Sequence, residues 1–202
     1  MIDYFAVLNE PRRPWIAQEQ LKQKYLDLTS SAHPDRWHAA PDQEKTAAHD
    51  RYLLLNSAYN VLRSDKARLA HLLELESGQR PKEVQNISPE LMELFVSVGQ
   101  LCQKIDAFLP EKRKACPPLV QAELFAKGQE LSAQVQGAQE HLRQLQATLQ
   151  AELASLNQRW SAGSGTTANP LPLKRLEEIY RAFSYLNKWT QQLQDRFVHL
   201  VI

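Results

Sequence analysis

The sequence predicts an all-α protein: a compact helical domain followed by an antiparallel three-helix bundle. Three observations carry this reading. Apolar residues recur at steps of three and four along nearly the whole chain. The 202 residues include 6 glycines but 20 glutamines, a composition that suits helices and not a turn-rich β protein. The 11 prolines fall at or near the edges of the periodic runs, where a helix tolerates them.

A short apolar segment over 2–8 is closed by Pro11 and Pro14. A helix is expected over 16–32, with Leu21, Tyr25, Leu28 and Ala32 inward and Lys22 and Lys24 towards solvent. Pro34 disfavours helical geometry at His33, so this helix ends there and His33-Pro34-Asp35-Arg36-Trp37 forms a loop. The next helix starts after Pro41 and runs to 62, with Tyr52, Leu55, Ala58, Tyr59 and Leu62 inward; a shorter one covers 67–75. These elements make a first domain over 1–75. Ser77-Gly78-Gln79-Arg80-Pro81 lies in a linker over 76–82.

The bundle occupies 83–202. Ser88-Pro89-Glu90 combines a hydroxyl cap, a proline in the first turn and an early acid. Leu91, Leu94/Phe95, Val98, Leu101/Cys102, Ile105 and Phe108 follow on one stripe until Pro110 ends the run. Pro117-Pro118 opens a long helix to Trp160, whose seam includes Leu131, Val135, Leu142, Leu149 and Leu153. The extra four-residue step from Leu149 to Leu153 is a stutter in a coiled-coil-like pattern. A Gly/Ser/Thr-rich loop spans 161–169. Pro170 and Pro172 start a last helix with Leu173, Leu176, Ile179/Tyr180, Phe183, Leu186, Leu193, Phe197 and Leu200 inward. Loops short relative to their helices make sequential neighbours antiparallel.

Charge and cysteine content narrow the function. Lys and Arg number 24 against 23 Asp and Glu, a net charge of +1, so there is no polybasic tail for nucleic acid. No apolar run reaches about 18 residues, so no membrane span is expected. Met1-Ile2-Asp3-Tyr4-Phe5 has neither the basic nor the long apolar region of a secretory leader. Cys102 and Cys116 form neither a disulfide framework nor a zinc knuckle, and the protein is expected to be reduced and cytoplasmic. The spacing of His33, His38 and His49 fits no common zinc pattern, so no metal or cofactor is expected. With no nucleophile–base pair, no paired acids and no cofactor loop, the chain does not read as an enzyme.

The functional signal is His33-Pro34-Asp35 in its setting. It follows a helix bearing Lys22, Lys24 and Tyr25. It precedes one ending Leu55-Asn56-Ser57-Ala58-Tyr59-Asn60-Val61-Leu62, with Arg68 ahead of Leu72-Leu73. This ordered set resembles a J-domain, a helical hairpin with a His-Pro-Asp loop through which co-chaperones stimulate the ATPase of DnaK-type chaperones. With Asp3-Tyr4-Phe5 before it, a helical bundle behind it, and neither a Gly/Phe-rich region nor zinc repeats, the chain is similar to the HscB family, co-chaperones of iron–sulfur cluster assembly.

The resemblance implies that His33, Pro34 and Asp35 touch an ATPase chaperone of DnaK or HscA type, and that ATP belongs to that partner. It implies that Lys22, Lys24 and Arg36 steer docking onto an acidic chaperone face. It also implies that Leu91, Met92 and Phe95 on the first bundle helix, with Tyr185 on the last, bind an iron–sulfur scaffold protein of IscU type. Leu91 and Phe95 fit the buried stripe and Met92 lies beside it, which makes Met92 the most available of the three. Val96 and Gly99 stand where the family carries acids, and His71 where it usually has Tyr. The alternative is a J-domain adaptor that delivers a different client, or self-associates, through its bundle.

Overall fold

The structure, a computed structural model, describes residues 1–33, 37, 41–81, 89–112, 117–161 and 171–201, with Glu90, Arg159 and Ser161 described by their backbone only. Among the described residues there are helices and no strand: α1 (Tyr4–Val7), α2 (Gln18–Ala32), α3 (Asp42–Arg63), α4 (Asp65–Ser77), α5 (Pro89–Lys112), α6 (Pro118–Ser161) and α7 (Leu173–Val201). They form two compact units, Met1–Lys82 with Gln150–Tyr180, and Glu83–Leu149 with Arg181–Ile202. The sequence pattern draws its boundary at 76–82 alone. In the structure the end of α6 and the start of α7 group with the first unit, and the stutter after Leu149 falls at the change-over.

In the first unit, local chemistry sets the helix ends. The Asp3 side chain caps α1 by accepting the N–H groups of Phe5 (3.0 Å) and Ala6 (3.3 Å). The same helix closes in a Schellman turn. Asn9 sits at φ 52°, its N–H bonds Ala6 O at 3.1 Å, and the Glu10 N–H bonds Phe5 O at 2.8 Å. Asparagine is one of the few residues that tolerates this left-handed geometry. Ser64 ends α3 and caps α4. Gly78, at φ 72°, closes α4 through its N–H on Glu74 O.

Helices α1, α2 and α4 all pack on α3. Phe5, Leu8, Ile16, Leu21, Leu55, Ala58, Leu62, Leu69 and Leu72 form the core. Tyr25, Leu28, Tyr52 and Tyr59, expected inward, are half-buried at the rim of the α2–α3 pair. There the Tyr25 and Tyr59 rings stack at 4.3 Å, and the Tyr25 hydroxyl donates to Asn56 Oδ1 at 2.5 Å. A phenol keeps one end at water while its ring packs, so the rim suits it better than the core.

Arg68 is wholly buried. Its Nε donates to Pro14 O at 2.9 Å and its Nη1 to Leu62 O at 2.7 Å, while its Nη2 pairs with Asp65. Burial pushes its pKa down and the Asp65 charge pulls it back. Asp65 also accepts from Gln150 Nε2 at 2.8 Å. The Asn157 amide pairs with both backbone groups of Trp15, at 3.0 and 2.8 Å. The Lys66 ammonium lies 5.9 Å from the Tyr180 ring centroid. One residue thus joins the N-terminal segment, the α3–α4 junction and, through Asp65, the last turns of α6.

His71, one turn further along α4, is also buried. Its Nε2 accepts the Tyr4 N–H at 3.1 Å, and its ring stacks on Phe5 at 5.8 Å. An accepting Nε2 requires a neutral imidazole. Burial lowers the His71 pKa; Asp3 and Glu74 raise it and Arg12 lowers it further, with a net shift downward.

In the second unit α5 and α7 run parallel: Phe95 faces Trp189, Asp106 bonds Arg196, and Lys112 Nζ donates to Leu200 O at 2.8 Å. Helix α6 runs against α7, with Gln139 on Gln194 and Gln146 on Asn187. Leu94, Val98, Leu101, Cys102, Ile105 and Phe108 of α5 meet Leu131, Val135 and Leu142 of α6 and Leu186, Trp189, Leu193 and Leu200 of α7. Pro110, expected to end its helix, lies inside α5, which continues to Lys112. So close to the helix end proline removes one backbone bond, and buried Phe108 and half-buried Leu109 hold the last turn in place.

Two predictions follow from the first unit. Arg68→Ala leaves two carbonyl oxygens and a carboxylate without their donor and should cost about 3 kcal/mol or more, read by urea unfolding. The His71 pKa lies below its unfolded value of 6.5. The unfolded chain therefore takes up the proton first, and stability is full above about pH 6.5 and falls as the pH drops below it. The melting temperature should decline as the pH falls below about 6.5, and His71→Tyr should flatten that decline.

Candidate functional site

Two surfaces gather the residues singled out by the sequence, one in each unit. The first is the α2–α3 face. His33 ends α2 with an extended backbone, φ −62° and ψ 130°, as the following proline requires. Its exposed ring meets Tyr52 edge-on at 5.8 Å between centroids. Trp37 Nε1 donates to Ser31 O at 3.1 Å. Pro34, Asp35 and Arg36 lie outside the described residues, as do His38 and Cys116.

An open groove of about 490 Å³ runs along this face, lined by Tyr25, Leu26, Thr29, Ser30, His33 and Tyr52. Leu26 and Leu53 stand half exposed on the same helices. Helical geometry decides which lysine belongs with His33. At about 100° per residue, positions 22, 26, 29 and 33 share one face, whereas position 24 points the opposite way. Lys22 is accordingly exposed on the groove side. The Lys24 ammonium sits 2.7 Å from Oε1 of buried Glu10 and donates to Asn9 O at 3.2 Å. Glu10 also pairs with Arg13 at 2.9 Å. Lys24 thus anchors the segment after α1, a task the sequence alone did not suggest.

The second surface is built by α5 and α7. Leu91 is half-buried against the bundle core, while Met92 (45%), Phe95 (46%) and Val96 (47%) are exposed. Phe95, expected on the buried stripe, lies outside it because Leu94, Val98, Leu101, Ile105 and Phe108 already complete the inward row. Its ring rests 6.2 Å from Trp189, which stacks on Tyr185 at 5.8 Å. Tyr185 is half-buried beside the core. The middle of α7 therefore lies beside the start of α5. Trp189, 3% exposed, is the floor of this surface and was absent from the sequence-derived stripe. Its place between Leu186 and Leu193 in three-and-four spacing was the available signal.

The two surfaces offer docking chemistry. Among the described residues no group of three or more His, Cys, Asp or Glu is placed to hold a metal ion, and no helix is long and apolar enough to cross a membrane. Cys102 is buried in the bundle core, where desolvation raises its pKa.

No family model matches the sequence. Over 86 residues the chain is 30% identical to the co-chaperone protein HscB homolog of Shewanella amazonensis, covering 43% of this chain and 49% of that protein. It is equally 30% identical over 86 residues to the co-chaperone protein HscB of Proteus mirabilis, covering 43% and 50%. The match thus spans about half the length of these curated relatives. Among solved structures, chaperone HscB from Vibrio cholerae superposes with a TM-score of 0.57 at 17% identity, covering 96% of both chains. Human co-chaperone protein HscB gives 0.57 at 16% identity, covering 96% of this chain and 81% of its own. Identities at that level speak for the fold alone. The chain is similar to HscB-type J-domain co-chaperones, in sequence over 86 residues and in fold over nearly its whole length.

Proposed function

We propose that this protein is a J-domain co-chaperone of iron–sulfur cluster assembly that catalyses nothing itself. The main support is the presence in one chain of an exposed His33 ending α2 beside an open groove and, in a separate unit, an uncovered apolar face floored by Trp189. In this reading His33, with Pro34 and Asp35, docks a DnaK- or HscA-type chaperone and stimulates its ATPase. Lys22 steers that encounter, a role in which a charge raises the association rate more than the affinity. Lys24, placed on Glu10, contributes to the fold of the same domain. Leu91, Met92, Phe95 and Tyr185 hold an IscU-like scaffold protein. Tethering chaperone site and client site in one chain turns client loading into an event at high effective concentration.

His33→Gln should abolish stimulation of the partner ATPase in single-turnover assays. Because the side chain is exposed, it should change stability by about 0.5 kcal/mol or less. Full stimulation by this variant would remove the chaperone assignment. Met92→Ala should weaken binding of the scaffold about tenfold by calorimetric titration, with the melting temperature nearly unchanged. Trp189→Ala should instead lose about 3 kcal/mol of stability, because it empties the floor of the site. Recovery of a different client by the apolar face would point to an adaptor of another pathway.

A further inference from the structure

A cavity of about 380 Å³ lies in the first unit, between the N-terminal segment, the last turns of α3 and one side of α4. Small-molecule sites are of this size. Ile2, Val61, Ala67 and Ala70 give it an apolar wall, and His71, Glu74 and Arg80 give it a polar one. None of these residues belongs to the α2–α3 groove.

His71 carries the first observation. It is 7% exposed. Because its Nε2 accepts the Tyr4 N–H, the imidazole proton sits on Nδ1. Among the described residues no acceptor meets that N–H. A buried donor ordinarily has a partner, and this ring borders a cavity that can supply one.

Two charges carry the second. Close by, Arg12 lies 2.9 Å from Asp3 and 3.3 Å from Glu76, so these three compensate one another within the chain. Glu74 and Arg80 border the same cavity without bonding to each other, and among the described residues neither has an ion-pair partner. Met1 borders the cavity too, and its amine makes no ion pair with Glu74. The wall thus holds a carboxylate and a guanidinium that the described residues do not neutralise.

These features select a ligand by elimination. A simple anion meets Glu74, and a simple cation meets Arg80. A purely apolar molecule leaves both charges and the His71 N–H unmatched. A molecule with an ammonium, a carboxylate and an aliphatic body matches all three. We infer that this cavity binds a free α-amino acid with an aliphatic side chain. Its carboxylate takes Arg80 and the His71 Nδ1–H, its ammonium takes Glu74, and its side chain lies on Ile2, Val61, Ala67 and Ala70. The inference does not depend on the co-chaperone reading.

The test is calorimetric titration of the full chain with leucine, with the imidazole resonances of His71 followed by NMR. Leucine should bind, move the His71 signals and raise the melting temperature as its concentration increases. Leucinamide lacks the carboxylate, N-acetylleucine the ammonium and glycine the side chain; each should bind at least about fivefold more weakly. Arg80→Gln and Glu74→Gln should each weaken leucine binding at least about fivefold. Both variants should melt close to the wild type without ligand, because neither side chain has an ion-pair partner among the described residues. The analogue series uses the wild type, so it decides the matter even for a variant that fails to fold. No binding of leucine up to about 10 mM would overturn the inference. So would equal binding of any one analogue, unchanged leucine binding by either variant, or His71 signals that stay in place while leucine binds.

Discussion

The first unit is organised around a guanidinium group taken out of water. Arg68 reaches Pro14 O, Leu62 O and the Asp65 carboxylate, which belong to the segment before α2, to α3 and to α4. Apolar burial brings such elements together but has no direction. A planar fork of fixed N–H donors does, and removing it from water is tolerable only while its partners stay in place. That requirement sets the turn from α3 into α4 and the path of the chain before α2. It extends further through neighbours: Asp65 takes Gln150, and Trp15, next to Pro14, takes Asn157. The last turns of α6 are therefore held by directed bonds as well as by Leu153, Leu156 and Trp160 in the core.

A scaffold pinned in this way can leave one side of the α2–α3 pair uncovered. The helices meet through Leu21, Leu55, Ala58 and Leu62, while half-buried Tyr25, Tyr52 and Tyr59 line the rim. The rim is where His33 ends up, against Tyr52 and at the end of the groove. The two lysines of α2 separate by geometry. Lys22 faces the groove side, whereas Lys24 turns back to buried Glu10. A carboxylate with no exposed side-chain surface would be costly alone, and Lys24 with Arg13 supplies the compensating charge.

The surface in the second unit follows a different logic. Helix α5 is apolar on two sides, so its inward row is not fixed by hydrophobicity alone. Leu94, Val98, Leu101, Ile105 and Phe108 turn in because they repeat at three and four residues over the full helix; Met92, Phe95 and Val96 do so for one turn only. What remains outside at the start of the helix is apolar, and Trp189 gives it an aromatic floor. One face offers an exposed histidine and a nearby lysine, the other exposed apolar area.

The sequence by itself determined the helices and their approximate ends, because periodicity, proline positions and caps are local. Asp3, Ser64 and Gly78 act through neighbours within a few residues, and His33 is extended because proline follows it. The exposure of Met92 was also legible, from its place beside the inward row. Tertiary structure decided everything that depends on a partner far along the chain. Glu10 claims Lys24 across 14 positions, and Arg68 claims the carbonyl of Pro14 across 54. Asn157 reaches the backbone of Trp15 across 142. Phe95 lies outside and Trp189 inside because the parallel pairing of α5 and α7 puts one on the other. Periodicity states which residues share a face; only packing states which face is covered, and of the two apolar sides of α5 one is core and the other stays exposed.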